Sequence, residues 1–336
     1  MKKYDIVCIG RSSIDLYSND IGEPFEKIRS FAAYVGGCPT NISVGTRRLG
    51  LNSAIMTGVG DDPVGAFILH FLNNEKVDTS FVVTKKGKRS SAVILGIEPP
   101  DKFPLVFYRD NCADIAITID DMQKVPFERC KAILISGTGF SKEPSRSATL
   151  FAAEQANATN SKVVLDIDYR PDQWPDLQTF GTTIRSLLPY VDIVIGTSEE
   201  VKAAAHVGAG EVQVADSQVS NYRLEADQDA AVELILSKGP EVLVLKSGTE
   251  GSYIYQNGNS ESEHAPGFPV DVQNVLGAGD AFASGFLYGY VQGWEWYRCA
   301  RLGNACGAIV VTRHGCANFM PTMEEVEGFT AGKGGL

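Results

Sequence analysis

Short apolar, β-rich runs recur along this chain with helix-like stretches between them, and no other feature limits its fold as much. The runs occupy residues 4–9, 53–59, 132–135, 162–167, 192–195 and 241–245. Residues 40–49, 65–73, 145–157, 198–206 and 227–237 read as the intervening helices. A strand that is apolar on both sides needs cover on both faces, and helices supply it. The expected class is therefore α/β, a sheet with helices on either side. Two segments break the rhythm: residues 12–35 and 88–110 hold alternating or β-branched runs with no helix between strands. They pair either as a small antiparallel sheet standing off the core or as hairpins at its edge. Residues 207–223, polar and glycine-containing, read as a surface loop.

A length of 336 residues suits one large α/β domain or two ordinary ones. With 44% hydrophobic and 21% charged residues, the chain has the means to bury a sizeable core. The formal net charge of -11 argues against a broad nucleic-acid surface, which needs clustered Lys and Arg. It leaves room for an anionic small molecule in a locally basic cleft. The seven cysteines are scattered without a CxxC pair and read as reduced, buried thiols of a cytoplasmic protein. No leader-like segment opens the chain, and no apolar run reaches the roughly 18 residues of a membrane span.

Chemistry concentrates in Asn274-Val275-Leu276-Gly277-Ala278-Gly279-Asp280. The small residues permit a tight turn, and the apolar stretch from Ala281 reads as the helix that follows. Such a turn aims free N–H groups and the positive end of a helix dipole at one point, which suits a transferring phosphoryl group. Asp280 stands where a carboxylate would take the proton of an attacking hydroxyl, although an Asp that merely caps a helix fits the same local pattern. A second cluster, Gly36-Gly37-Cys38-Pro39-Thr40-Asn41, is followed by Gly50 and Gly60. Paired glycines allow a ligand close to the backbone, and Asn41 offers both a donor and an acceptor. A GxGxxG after the first strand is missing, as is any GxxxxGK[ST], which removes the dinucleotide-binding and Walker-type readings. The four histidines are dispersed, so no histidine metal cluster or Ser-His-Asp triad is indicated.

Taken together, residues 36–60 and 274–280 resemble the two signatures of the PfkB, or ribokinase-like, carbohydrate kinases. They lie in the expected order at opposite ends, so the resemblance spans nearly the whole chain and implies one kinase domain over residues 1–330. It implies a ribokinase-like three-layer α/β/α sandwich with a small β-sheet lid, formed by residues 12–35 and 88–110. It also implies transfer of the γ-phosphoryl group of ATP to a sugar hydroxyl with magnesium, and in some members a monovalent cation such as potassium. Carried over by motif, Asp280 is the base, and the N–H groups of Gly277, Ala278 and Gly279 form an anion hole. Asp15, Gly36, Gly37 and Asn41 would bind the sugar. Lys246, Gly248 and Gly251 match the nucleotide-side turn, Asn304 falls in the helix beside the adenine, and Glu200 would organise metal-bound water. Two departures stand out. The usual Asp-Thr-Thr is Asn274-Val275-Leu276, and the usual Asn-x-x-Glu is Thr197-Ser198-Glu199-Glu200. Lids in this family often pair between subunits, which implies a homodimer.

Arg109 and Arg170 bear on the substrate. A guanidinium fork matches a carboxylate, whereas a neutral sugar needs no cation; either residue is equally compatible with an ordinary ion pair. Their positions resemble those of family members that act on sugar acids. Tyr108-Arg109-Asp110-Asn111-Cys112-Ala113-Asp114, Ile195-Gly196-Thr197 and the Asn-Val-Leu before Gly277 resemble the branch that phosphorylates the C6 hydroxyl of 5-dehydro-2-deoxy-D-gluconate in bacterial myo-inositol breakdown. Kinases of 2-keto-3-deoxygluconate or fructose are the nearest alternatives. A sugar-binding regulatory protein without catalysis is the alternative from another class, and the intact Gly277–Asp280 motif speaks against it.

Overall fold

The computed structural model describes residues 2–99, 102–208, 213–214 and 222–336. The first half carries strands β1 (Tyr4–Ile9), β2 (Ser13–Ser18), β3 (Phe31–Gly36), β4 (Ser53–Met56), β5 (Gly58–Gly60), β6 (Val83–Lys85), β7 (Ser91–Leu95), β8 (Leu105–Tyr108), β9 (Cys130–Ser136) and β10 (Lys162–Asp166). The second half adds β11 (Ile193–Thr197), β12 (Gln213–Val214), β13 (Tyr222–Arg223), β14 (Val242–Lys246), β15 (Gly251–Gln256) and β16 (Glu263–Pro266). The helices are α1 (Cys38–Leu49), α2 (Pro63–Asn74), α3 (Ile119–Met122), α4 (Ser145–Ala158), α5 (Leu177–Leu187), α6 (Ser198–Ala205), α7 (Gln228–Leu236), α8 (Ala278–Val291), α9 (Trp296–Val310) and α10 (Met323–Thr330).

The main sheet has eight strands in the order β16-β15-β14-β11-β10-β9-β1-β4. Its six strands from β14 to β4 run parallel, and the β15–β16 hairpin closes one edge antiparallel. Alternate residues of each strand serve opposite faces, as the period of two requires. Val7, Ile9, Leu165 and Leu243 pack with Ala152, Phe180, Val201 and Ile235 of α4, α5, α6 and α7. Ile6, Cys8, Val164 and Val244 pack with Ile42, Phe282, Phe286 and Cys299 of α1, α8 and α9. The two burial sets make a three-layer α/β/α sandwich. All seven cysteines are buried and free. Trp296 stacks on Phe286 and Tyr290, a packing role.

The two segments that break the alternation do join, as a four-stranded sheet in the order β3-β2-β7-β8. The sheet is mixed rather than antiparallel. β2 pairs antiparallel with β3 and β7 with β8, but β2 and β7 run parallel. Parallel pairing needs a long crossover, and the chain supplies one by passing through α1, β4, β5, α2 and β6 before it returns. The loop expected over residues 207–223 lies mostly outside the described residues. Among the described residues no helix is long and apolar enough to cross a membrane.

Candidate active site

Helices α1 and α8 bring the two glycine-rich motifs together. A Cβ on Gly45 would come within 2.7 Å of Ser284 Cβ, so the missing side chain lets the helices touch. One turn nearer both N-termini, Asn41 Nδ2 donates to Asp280 Oδ2 at 2.7 Å. Matched contacts at both levels mean that the helices run parallel, with both positive ends at one point. Each is capped by a glycine at positive φ, Gly37 (φ 104°) and Gly277 (φ 81°), and neither has a side-chain cap. First-turn N–H groups lack intrahelical acceptors, the arrangement that phosphate sites use, although Ala278 N donates to Val275 O at 3.3 Å and Pro39 has no N–H to give.

Asp280 sits in the first turn of α8. Burial raises its pKa to about 6; the Asn41 donor, Lys246 and Arg170 pull it down, while Asp168 pushes it up. A carboxylate with such a pKa is ionised at neutral pH yet basic enough to accept a proton from an attacking hydroxyl. Asn41 Oδ1 is buried and has no hydrogen-bond partner, so an acceptor faces the same space.

The Asn274 departure has a structural reason. Its Nδ2 donates to His314 O at 2.6 Å and its Oδ1 accepts from Leu276 N at 3.0 Å. The side chain thus ties the turn before α8 to the segment after α9. Gly277 lies flush against that segment, where an added Cβ would meet Cys316 N at 2.8 Å.

On the sugar side, Asp15 is 4% exposed and accepts from Ser13 Oγ at 2.6 Å, with Cys316 Sγ at 3.4 Å. Burial raises its pKa against the charge of Arg11 and these donors. A Cβ on Gly36 would overlap the Asp15 carboxylate, and one on Gly37 the Arg11 carbonyl, so these glycines admit neighbours within the protein. The two arginines expected to meet a carboxylate differ. Arg109, 3% exposed, is committed to Asp114 (2.8 Å from Nε), Ser141 Oγ (3.2 Å) and Thr138 O (3.1 Å). Arg170 pairs with Asp168 at 2.9 Å and lies close enough to lower the Asp280 pKa. Asp168 has φ 38°, unusual for a residue with a side chain, and its other oxygen accepts from Ser136 (2.9 Å) and Thr138 (3.2 Å).

The nucleotide-side residues divide as well. Lys246 Nζ stands 3.5 Å from Asp166 Oδ2 and 3.9 Å from Glu200 Oε2. Burial opposes its charge, but Asp166, Glu200 and Asp280 outweigh that and raise its pKa. The same ammonium would lie 3.1 Å from a Cβ on Gly279, which puts Lys246 beneath the turn of α8. Gly248 and Gly251 turn the chain at positive φ into β15. Asn304 donates to Ala265 O (2.9 Å) and Pro266 O (3.1 Å), tying α9 to β16. Glu200 is the third residue of a capping box whose N-cap is Thr197, and its Oε2 accepts from Thr197 N at 2.8 Å. Thr197 therefore fills the place of the usual Asn by capping the helix.

A hard divalent cation fits this corner. Asp166 Oδ2 is buried with no hydrogen-bond partner, and burial raises the Asp166 pKa despite Lys246. Carboxylate oxygens of Asp166 and Asp280, the donor type that magnesium takes, lie within 4.8 Å of each other, while Glu200 stands across Lys246 with its Oε2 on Thr197 N. Cys38 Sγ lies within 4.8 Å of Asp166 and Asp280, but a thiol whose pKa burial raises is a poor ligand for such an ion.

The sequence does not single out Asp166, Cys316 and Arg11 as site residues, and Asp168 stands out only as the first residue of Asp168-Tyr169-Arg170-Pro171, a run that resembles kinases of 2-keto-3-deoxygluconate. Three of them follow buried strand runs or lie beside a motif, and a charged residue just past an apolar run is the one sign that marks Asp166 and Arg11. Arg11 is buried, its NH1 donates to Ser13 Oγ at 2.8 Å, and it faces the Phe107 ring of β8 at 5.3 Å.

A relative from Shouchella clausii (strain KSM-K16), a 5-dehydro-2-deoxygluconokinase, is 33% identical over 327 residues, covering 97% of this chain and 95% of its own. The fructokinase of Xylella fastidiosa, solved with bound ATP, superposes with a TM-score of 0.82 at 23% identity, covering 98% of each chain. A fructokinase double mutant from Vibrio cholerae O395, solved with fructose, ADP and potassium ion, gives 0.81 at 21% identity, covering 98% of this chain and 99% of its own. The pattern described as pfkB family carbohydrate kinase matches residues 3–323, and the chain belongs to that family of ATP-dependent sugar kinases.

Proposed function

We propose that this kinase transfers the γ-phosphoryl group of ATP to the C6 hydroxyl of 5-dehydro-2-deoxy-D-gluconate, with Asp280 as the general base. The observation that carries the reading is the Asn41–Asp280 hydrogen bond at the shared N-terminal end of two glycine-capped helices. Asp280 takes the hydroxyl proton as that oxygen attacks the γ-phosphorus. The N–H groups of Gly277, Ala278 and Gly279 receive the charge of the phosphoryl oxygens, and Lys246 adds a positive charge from below. Asp15 and Asn41 Oδ1 accept from other hydroxyls of the sugar and fix which one faces Asp280. Asp166 and Glu200 are the residues that would hold magnesium, which would supply positive charge against that of the phosphates. The small sheet closes over the sugar to exclude water, and its outer face joins a second subunit.

The sugar-acid assignment draws on the full-length relative at 33% identity. ADP release measured against 5-dehydro-2-deoxygluconate, 2-keto-3-deoxygluconate and fructose tests it. The first should give the highest kcat/KM. Fructose turnover equal to that of the acids would overturn the assignment while leaving the kinase intact.

A further inference from the structure

We infer that Arg11, rather than Arg109, receives the carboxylate of the sugar acid, an inference that rests on the sugar-acid reading above. Every nitrogen of the Arg109 guanidinium already has a partner in Asp114, Ser141 or Thr138. Arg170 is held by Asp168. Arg11 differs. It is only 8% exposed, its NH1 donates to the neutral Ser13 Oγ, and among the described residues it makes no ion pair. Asp15 and Asp172 feel its charge without touching it. A guanidinium withdrawn from water without a contacting anion is costly, and a bound carboxylate removes that cost.

The surroundings aim the group. Phe107, on the inner face of the small sheet, covers the guanidinium at 5.3 Å and leaves its edge for hydrogen bonds. Ser13 links Arg11 (2.8 Å) to Asp15 (2.6 Å). One strand end therefore offers a cation for the carboxylate next to an acceptor for a hydroxyl. Because Phe107 belongs to the segment that closes the site, a carboxylate on Arg11 also gives that segment something to close upon.

D-gluconate and D-glucitol differ only in a carboxylate against a CH2OH, and calorimetric titration of each tests the inference. The intact protein should bind gluconate more tightly. Arg11→Gln should weaken gluconate by about tenfold to a hundredfold and leave glucitol unchanged, because a hydrogen-bonded charge is lost. Arg11→Lys should restore part of the difference, and Arg11→Met repeats the test if the glutamine variant does not fold. If Arg11→Gln weakens both ligands equally, Arg11 only positions Ser13 and Asp15, and the inference falls. If the variant keeps the gluconate preference, it falls while the sugar-acid reading stands. If the intact protein shows no preference, the sugar-acid reading itself fails and takes the inference with it.

Discussion

Asp280 illustrates how a single side chain is tuned by opposing neighbours. Burial and Asp168 push its pKa up, Asn41, Lys246 and Arg170 bring it down, and the balance falls at about 6. A base works ionised, so kcat/KM for the sugar should fall as pH drops through about 6 and level off above it. Asn41 donates to the charged form, and Asn41→Ala should therefore move that limb to higher pH; an unmoved limb would show that another group controls it. Asp280→Asn should lower kcat by about 10²–10⁴-fold while sugar binding persists, and a retained rate would remove the base assignment. Folding raises this pKa above its value in the open chain, so the carboxylate's contribution to stability is present at low pH and lost as pH rises through about 6. Asp280→Asn should consequently not lower Tm at pH 7, which separates lost chemistry from lost folding.

At the scale of elements, the turn proposed as the anion hole is held from the far side by one amide. Asn274 is fully buried and joins the turn before α8 to His314 beyond α9. Asn274→Ala deletes both bonds and strands a carbonyl and an N–H, a loss of about 2 kcal/mol readable by urea unfolding. Because Gly277 rests on the same segment, kcat should fall by roughly tenfold or more as the first turn of α8 shifts. Unchanged stability and rate would mean that the tie is dispensable. This tie is also where legibility in the sequence ends. Strand runs such as Tyr4–Ile9 are readable because burial on both faces demands continuous apolar residues, and Asp280, Asn41 and Asp15 are readable because local backbone needs surround them with glycine and small residues. Helix α5 escapes, with Gly181 lowering its helix propensity, and α9, with Gly303 and Gly307, enters only through the family resemblance that puts Asn304 on a helix. The bare side of Gly303 accommodates Phe282, a tertiary contact that overrides the local cost. Arg11, Asp166 and Cys316 gain their character from strands and loops distant in sequence, so no local pattern announces them.

Across the whole molecule, the small sheet is two-sided in a way the main sheet is not. Its inner face presents Asp15, Tyr17, Val93 and Leu95, all buried, together with Phe107 over Arg11. Its outer face sets Ile14 beside Ala92 and Leu16 beside Ile94, and Ile94 beside Val106. Val106 is 40% exposed and Phe31, on β3, 37%. Charged residues, which usually protect an exposed sheet, are missing from these outer positions. Such a face calls for cover, and a second copy of the same sheet gives self-complementary cover through a two-fold axis. Light scattering after gel filtration should therefore give twice the 36.2 kDa of one chain. Leu16→Asp with Ile94→Asp should halve that mass while far-UV circular dichroism stays unchanged, since both side chains lie outside the core clusters. The monomer should also lose sugar affinity more than ATP affinity, because the sheet that covers Arg11 would have lost its outer support. A wild-type monomer would overturn the pairing, and a dimer that survives both aspartates would place it on another surface.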